Sequence, residues 1–141
     1  MIAHEIIADL TAWNAMLARH ESVFASVTPG SNLGIVPQAD ATQRSGNMLV
    51  WGRAPQGGMT AELRPYVGYN QCGVDLLFVA EDQGLNAIYD VLAERPLEEM
   101  KAALRRGELC MFVTKRRDDL TEAGWDDLLE TLGRAYMGLC R

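Results

Sequence analysis

The sequence predicts an α+β fold: a two-layer sandwich in which N- and C-terminal helices cover one face of a mostly antiparallel sheet of about five strands. Two observations lead to this prediction. Apolar residues recur every three or four positions at both ends of the chain, and short apolar or alternating runs lie between them. The length of 141 residues suits one domain, so we expect a single α+β domain spanning residues 1–141.

The N-terminal third is predicted to be mostly helical. The spacing of its apolar residues predicts one helix over residues 2–26, which Pro29 and Gly30 terminate. A short strand over 33–36 follows. The polar, aperiodic segment 38–47 is interpreted as a mobile loop.

The middle of the chain is predicted to form a sheet. Residues 59–69 alternate between apolar and polar side chains, and Pro65, which cannot donate a backbone hydrogen bond, predicts an edge strand or a bulge there. Residues 74–80 are almost entirely apolar, as in a central strand that is covered on both faces. The predicted strands are 33–36, 48–51, 59–69, 74–80 and 109–114.

The remaining elements are helices. Asp82 is predicted to cap one short helix, and Pro96 to begin another that Gly107 terminates. A last helix is predicted from Thr121 to the C-terminus. The first strands before these middle helices are spaced as hairpins, which favours an antiparallel or mixed sheet.

Composition argues against a nucleic-acid-binding protein. The net charge is −6 and the pI is about 4.8, whereas binding to phosphates requires a basic surface. Basic residues cluster only at 105–106 and 115–117, and acidic residues flank both clusters. A nucleic-acid module using Lys115 to Arg117 remains a third hypothesis, and it predicts salt-sensitive binding.

Cysteine and histidine usage indicates a reducing compartment and no metal. Cys72, Cys110 and Cys140 are too widely spaced for a zinc or redox motif. His4 and His20 would lie about 24 Å apart on one straight helix, too far to share a metal ion. The N-terminus lacks a secretory signal and every apolar run is too short to span a bilayer, so we expect a cytoplasmic protein without a cofactor.

Catalysis has little support in the sequence. Cys72 lies in a predicted turn, where it would be accessible, but the nearby Asp75 is a poor activator of a thiol. Adjacent acidic pairs are explained by helix capping. The alternative to a binding function is therefore a small enzyme or small-molecule-binding protein, with residues 38–47 as a lid over a site formed by Cys72, Asp75, Arg53 and Tyr66.

Aromatic and arginine side chains in the strands suggest a surface that binds another protein, because these residues are enriched where binding energy concentrates. If Tyr66 and Arg64 share the sheet face away from the helices, that face is a candidate surface for a partner. The competing interpretation is ordinary cross-strand packing. The predicted partner-binding residues are Trp51, Arg53, Arg64, Tyr66, Tyr69, Asp118 and Asp119.

These observations favour a small acidic, non-enzymatic protein that acts by binding another protein. It is expected to be an inhibitor, an immunity-like protein, or a chaperone or adaptor, and one version occupies the basic groove of a nucleic-acid-binding target. Self-association through a strand edge, as a homodimer, is a further expectation. A deep pocket containing Cys72, Asp75, Arg53 and Tyr66 would instead favour the alternative.

Overall fold

The computed structural model describes residues 1–134, and the predicted end of the last helix, with Cys140, lies outside them. The helices of the described part are α1 (Ala3–Ala8), α2 (Leu10–Arg19), α3 (Gln38–Gln43), α4 (Asp82–Asp90), α5 (Pro96–Arg106), α6 (Arg117–Ala123) and α7 (Asp126–Thr131). The strands are β1 (Asn32–Pro37), β2 (Asn47–Arg53), β3 (Met59–Pro65), β4 (Leu76–Ala80) and β5 (Leu109–Val113).

The predicted α+β sandwich is confirmed. Within residues 1–134 the strands form a five-stranded sheet in the order β3-β2-β1-β4-β5. Strands β1 and β4 are parallel, and the three other neighbouring pairs are antiparallel. Strand β3 therefore lies at an edge, as Pro65 predicted, and β5 lies at the other edge.

The single N-terminal helix predicted over 2–26 is wrong, because the chain breaks at Asp9. The Asp9 carboxylate accepts a hydrogen bond from the backbone N–H of Ala12 (3.3 Å) and so begins α2 as a separate helix. The Tyr89 hydroxyl also donates to Asp9, which ties this break to α4. This hydrogen bond raises the pKa of the Tyr89 hydroxyl, and its burial and the charge of Asp9 act in the same direction.

Two segments beside the sheet also differ from prediction. Residues 38–43 form helix α3 rather than a mobile loop, and its half-buried Ala41 packs against the sheet. Strand β3 ends at Pro65, short of the predicted Tyr69. Tertiary packing overrides the polar composition of α3, because one apolar residue per turn suffices to anchor a short helix.

Both middle helices are present, and the predicted last helix is wrong. The prediction that Asp82 caps the first of the middle helices is also wrong, because Glu81 occupies the N-cap position of α4 and no side chain caps it, while Asp82 lies in the first turn. Pro96 begins α5, and Gly107 ends it in the left-handed conformation (φ 79°). After β5 the chain enters α6 at Arg117, earlier than the predicted Thr121, and breaks at Gly124 (φ 89°) before α7. A Cβ atom at Gly124 would overlap the carbonyl oxygen of Ser26, so a glycine is needed for this close approach.

The main core lies between the sheet and the terminal and middle helices, on what we call the first face. Its centre is aromatic: the ring centroid of Trp51 lies 5.9 Å from that of Trp13 and 5.9 Å from that of Phe24. Trp125 is also fully buried in this core. The predicted placement of the end helices on one face of the sheet is thus confirmed.

The opposite side, the second face, is partly covered by the chain itself. A smaller cluster there contains Val36, Val50 and Leu77 of the sheet. Helix α3 and residues 66–73, which we call the crossover segment, lie over this cluster and bury Tyr66 and Cys72. The second face is therefore covered in part by the chain itself.

Candidate binding groove on the second sheet face

An apolar groove remains between the elements that cover the second face. Its volume is about 400 Å³, which lies within the range of small ligand sites. The floor is β4, and the walls come from α3, the crossover segment and β5. The lining residues are Ala41, Tyr66, Tyr69, Leu77, Val79 and Phe112.

Two aromatic side chains of the groove are exposed. Tyr69 is 41% exposed and Phe112 is 38% exposed, and their rings meet edge to face with centroids 6.0 Å apart. The Tyr69 hydroxyl donates a hydrogen bond to the backbone carbonyl of Val113 (3.0 Å), which fixes the crossover segment to β5. Exposed aromatic residues that are held in place in this way are typical of surfaces that bind an apolar group.

The groove is polar only at one rim. Burial raises the pKa of the Tyr66 hydroxyl and the nearby Cys72 raises it further, while the Arg44 guanidinium opposes both effects. Tyr66 is therefore neutral at physiological pH and provides a hydrogen-bond donor rather than a base. Arg44 lines an adjoining crevice with Tyr69 and forms no ion pair with any residue in the 1–134 range.

Two of the predicted partner-binding residues face the main core side instead. Trp51 has no exposed surface, so the prediction that it contributes an exposed aromatic surface is wrong. Arg53 donates to the backbone carbonyls of Val27 (3.0 Å) and Gly57 (3.1 Å), and also to that of Phe24. The bonds to Phe24 and Val27 satisfy carbonyls at the end of the N-terminal helical region, and the bond to Gly57 holds the connection between β2 and β3, so Arg53 stabilises the fold.

Tyr66 and Arg64 lie on the second face, as expected. Arg64 belongs to β3 and pairs with Glu62 (3.2 Å), at the far edge of the sheet from Phe112. Tyr66 is buried beside the groove and exposes little surface to a partner. Of the predicted residues, Tyr69 is the one that combines exposure with a place in the groove.

The predicted acidic residues lie at the beginning of α6. Asp118 is exposed in the first turn, and Asp119 lies 3.7 Å from Arg116 in an exposed ion pair. Their negative charge stabilises the N-terminus of this helix. Their contribution to partner binding stays a prediction.

The residues of the alternative site do not come together. Asp75 is buried, and its carboxylate accepts a hydrogen bond from the Trp125 indole N–H (2.9 Å) while Lys115 lies 3.5 Å away. Arg53 lies on the first face, with its hydrogen-bond partners Phe24 and Val27, whereas Tyr66 and Cys72 lie on the second face. Cys72, predicted to be accessible, is only 8% exposed, and its thiol donates to the Tyr69 carbonyl (3.1 Å). Only Cys72 and Tyr66 share a cluster.

Sequence reasoning missed Phe112 and the floor of the groove. Strand β5 reads Leu-Cys-Met-Phe-Val, in which every side chain is apolar, so no alternation shows which side is exposed. In the structure Met111 is buried, whereas Cys110 and Phe112 are exposed. The exposure of Phe112 follows from the position of β5 at an edge of the sheet. That position depends on the pairing of distant segments, which the sequence does not reveal.

Two features are absent from the described part of the chain, a membrane-spanning helix and a cluster of metal-binding side chains. None of its helices is long and apolar enough to cross a membrane. Between residues 1 and 134, no group of three or more His, Cys, Asp or Glu side chains is arranged to hold a metal ion.

Comparison with known proteins finds no matching family model and no matching curated protein. A solved structure with partial similarity is the solution structure of a conserved hypothetical protein from Thermus thermophilus, described as "possibly sterol carrier protein". The two chains are 18% identical with a TM-score of 0.43, over 95% of this chain and 87% of the other. The function proposed for the present chain therefore rests on its own geometry.

Proposed function

We propose that this chain is a small non-enzymatic protein that binds another protein by holding an apolar part of it in the groove. The observation that carries this proposal is the pairing of exposed Tyr69 and Phe112 above an apolar floor of Leu77 and Val79. A rigid apolar pocket with aromatic walls is the type of surface that takes an anchoring side chain of a partner.

The state of the polar side chains that a catalytic site would need supports the same proposal. Arg53 and Asp75 are engaged in internal hydrogen bonds, and Tyr66 is neutral. The roles expected from composition, namely an inhibitor, an immunity-like protein, or a chaperone or adaptor, remain proposals, as does a basic target. The unpaired thiols of Cys72 and Cys110 are consistent with the proposed cytoplasmic location.

A small apolar molecule is the second candidate occupant, because the groove volume of about 400 Å³ is large enough for one. Such a molecule would remain bound to the purified chain. Native mass spectrometry detects it as an added mass, whereas a groove that serves a partner protein is empty in purified material.

Photo-crosslinking in the native host tests the proposal. A chain carrying Cys72→Ala, Cys110→Ser and Cys140→Ser receives a single labelling site beside the groove, Asn70→Cys, which is reacted with a benzophenone maleimide before the labelled chain is added to an extract of the host. The matched control places the label at Glu98→Cys, on an exposed helix across the sheet. The blocking variant is Ala41→Arg, which places a long side chain in the groove from the α3 wall.

We expect a stoichiometric partner to be captured from position 70 and not from position 98. The Ala41→Arg change should reduce this capture at least tenfold, because the added side chain occupies the groove. Capture of the same proteins from both positions, or of none, would contradict a protein-binding groove. A tightly held metabolite that Ala41→Arg removes would establish the second candidate in its place.

A further inference from the structure

One wall of the groove carries a polar group for which the described chain provides no partner. The hydroxyls of Tyr69 and Tyr89 form hydrogen bonds within residues 1–134, whereas the hydroxyl of Tyr66 forms none with any of them. Tyr66 is only 4% exposed and lines the groove. Its hydroxyl is not fully enclosed, in contrast to the Trp51 indole N–H, so an occupant of the groove is able to reach it. Because a buried polar group without a partner is costly, this hydroxyl indicates a polar occupant at that wall.

The side chains around this hydroxyl determine which polar group it binds. The Cys72 thiol donates to the Tyr69 carbonyl (3.1 Å) and is not free to pair with Tyr66. The Arg44 guanidinium lies close enough to lower the pKa of Tyr66, but burial outweighs this effect and the net pKa is raised. The hydroxyl is therefore neutral and donates, and its nearest charged neighbour is a cation, so the group that fits between them is an acceptor with a negative charge.

Arg44 is held beside the groove by the crossover segment. A Cβ atom on Gly68 would lie 3.8 Å from Cδ of Arg44, so the stem of this side chain runs along the backbone between Tyr66 and Tyr69. The crevice that Arg44 forms there also contains Val67, which is 54% exposed. No carboxylate of residues 1–134 pairs with this guanidinium. A positive charge therefore stands at the rim of an apolar groove and is available to an occupant.

A neutral hydroxyl donor beside a guanidinium is suited to bind a carboxylate, because both groups donate and the guanidinium supplies the opposite charge. We propose that the anchor of the partner is an apolar residue at the partner's C-terminus, with its side chain in the groove and its carboxylate on Tyr66 and Arg44. This inference rests on the protein-binding function proposed above, and it specifies the chemistry of the segment that the groove accepts.

Charge and lining favour a terminal residue over an internal acidic segment. The chain has a net charge of −6 and repels a run of acidic residues, whereas a single carboxylate is compensated locally by Arg44. The groove is apolar except at Tyr66 and Tyr69, and the Tyr69 hydroxyl is already bonded. A segment that continued through the groove would bring further backbone N–H and C=O groups against apolar walls. A C-terminal residue carries its side chain and its carboxylate on one Cα atom and avoids this cost.

Two small probes that differ only in charge test this inference on the full chain. N-acetyl-L-phenylalanine imitates an apolar C-terminal residue, and N-acetyl-L-phenylalaninamide is its neutral counterpart. Amide chemical shifts in ¹H–¹⁵N NMR spectra report binding of each probe at Leu77 and Phe112, which line the groove. We expect a dissociation constant on the order of 1 mM for the carboxylate, as for other ligands of this size, and binding about tenfold weaker for the amide.

Substitutions assign the preference to the two side chains. Tyr66→Phe keeps the ring, and Arg44→Asn keeps a residue that tolerates the left-handed conformation of this position (φ 55°). Each should reduce the affinity for the carboxylate about tenfold and leave the amide unchanged, with an unchanged circular dichroism spectrum. Arg44→Lys, which retains the charge, should recover most of the affinity, and Arg64→Asn, on β3 outside the groove, should have no effect. Equal affinity for both probes, or a preference that survives both Arg44→Asn and Tyr66→Phe, would overturn the inference.

Partner capture separates this inference from the groove function itself. The carboxylate probe at about ten times its dissociation constant should compete with photo-crosslinking from position 70, and Arg44→Asn should reduce the capture. Capture that Ala41→Arg abolishes but Arg44→Asn leaves intact would retain the groove function and overturn the carboxylate. Absence of capture would contradict the groove function, whatever the probes show. A free carboxylic acid that copurifies with the chain, and that Arg44→Asn releases, would overturn the assignment to a partner's C-terminus.

Discussion

Replacing Asn14 by Ala tests whether this side chain stabilises the edge strand β3. The Asn14 amide accepts a hydrogen bond from the Ala61 N–H (2.8 Å) and donates to the carbonyls of Ala61 (3.3 Å) and Leu10 (2.9 Å), and the substitution removes all three. Ala61 is buried, so its N–H loses its partner with limited access to water. The expected effect is a loss of stability.

The magnitude follows from these contacts. Leaving a buried N–H unsatisfied costs about 1–3 kcal/mol, and the weaker bonds add about 0.5 kcal/mol. Alanine recovers about 0.5 kcal/mol because it favours a helix more than asparagine does. We therefore expect Asn14→Ala to lower the free energy of unfolding by about 2 kcal/mol, which corresponds to a fall in Tm of roughly 6–8 °C.

Urea titration followed by tryptophan fluorescence measures this change, because Trp13, Trp51 and Trp125 are all fully buried and report on unfolding. Asn14→Asp retains the acceptor for Ala61 and should lose about half as much. Thr11→Ala, at an exposed position of the same helix, should stay within about 0.5 kcal/mol of the original chain. An Asn14→Ala chain as stable as the Thr11→Ala chain would refute this role of Asn14.

The remaining predictions concern buried polar groups and backbone conformation. Asp75→Ala should lower the free energy of unfolding in urea by about 3 kcal/mol, because it leaves the buried Trp125 indole N–H without an acceptor. A loss below about 1 kcal/mol would contradict a structural role for Asp75. Gly124→Ala should lower the free energy of unfolding by more than about 3 kcal/mol, and Gly107→Ala by about 1 kcal/mol. Both glycines have positive φ, but only Gly124 is crowded by other atoms. Equal losses for the two variants would contradict this interpretation. The raised pKa of Tyr89 favours its neutral form in the folded chain, so this contribution to stability is complete below about pH 10 and is lost as the pH rises above it. Tyr89→Phe should remove that part of the alkaline loss in thermal unfolding curves, and an unchanged pH profile would argue against it.

Local sequence patterns were sufficient for most of the elements. Pro96 and Gly107 marked both ends of α5, and Pro65 marked β3 as an edge strand, because these residues restrict the backbone whatever surrounds them. Patterns failed at Asp9 and Gly124, where contacts with distant residues decided the outcome. Asp9 is held by Tyr89, and Gly124 approaches the backbone of Ser26.

The candidate site was less accessible to prediction than the fold. Tyr69 was selected correctly as an exposed aromatic residue, whereas Trp51 was selected for the same reason and is buried. Both lie in or beside strands, and residue type alone does not distinguish them. Their difference arises from the first face, which packs against helices, and from the crossover segment that carries Tyr69 over the second.

The sequence by itself determined the α+β class, the positions of the strands and the middle helices, because these follow from local periodicity and backbone restriction. Tertiary structure decided which strands became edges, which backbone groups of β3 bind Asn14, and where the groove opens. These features depend on hydrogen bonds and packing between residues far apart in the chain, such as Asn14 with Ala61 and Tyr69 with Val113. Such pairings leave no periodic trace in the sequence.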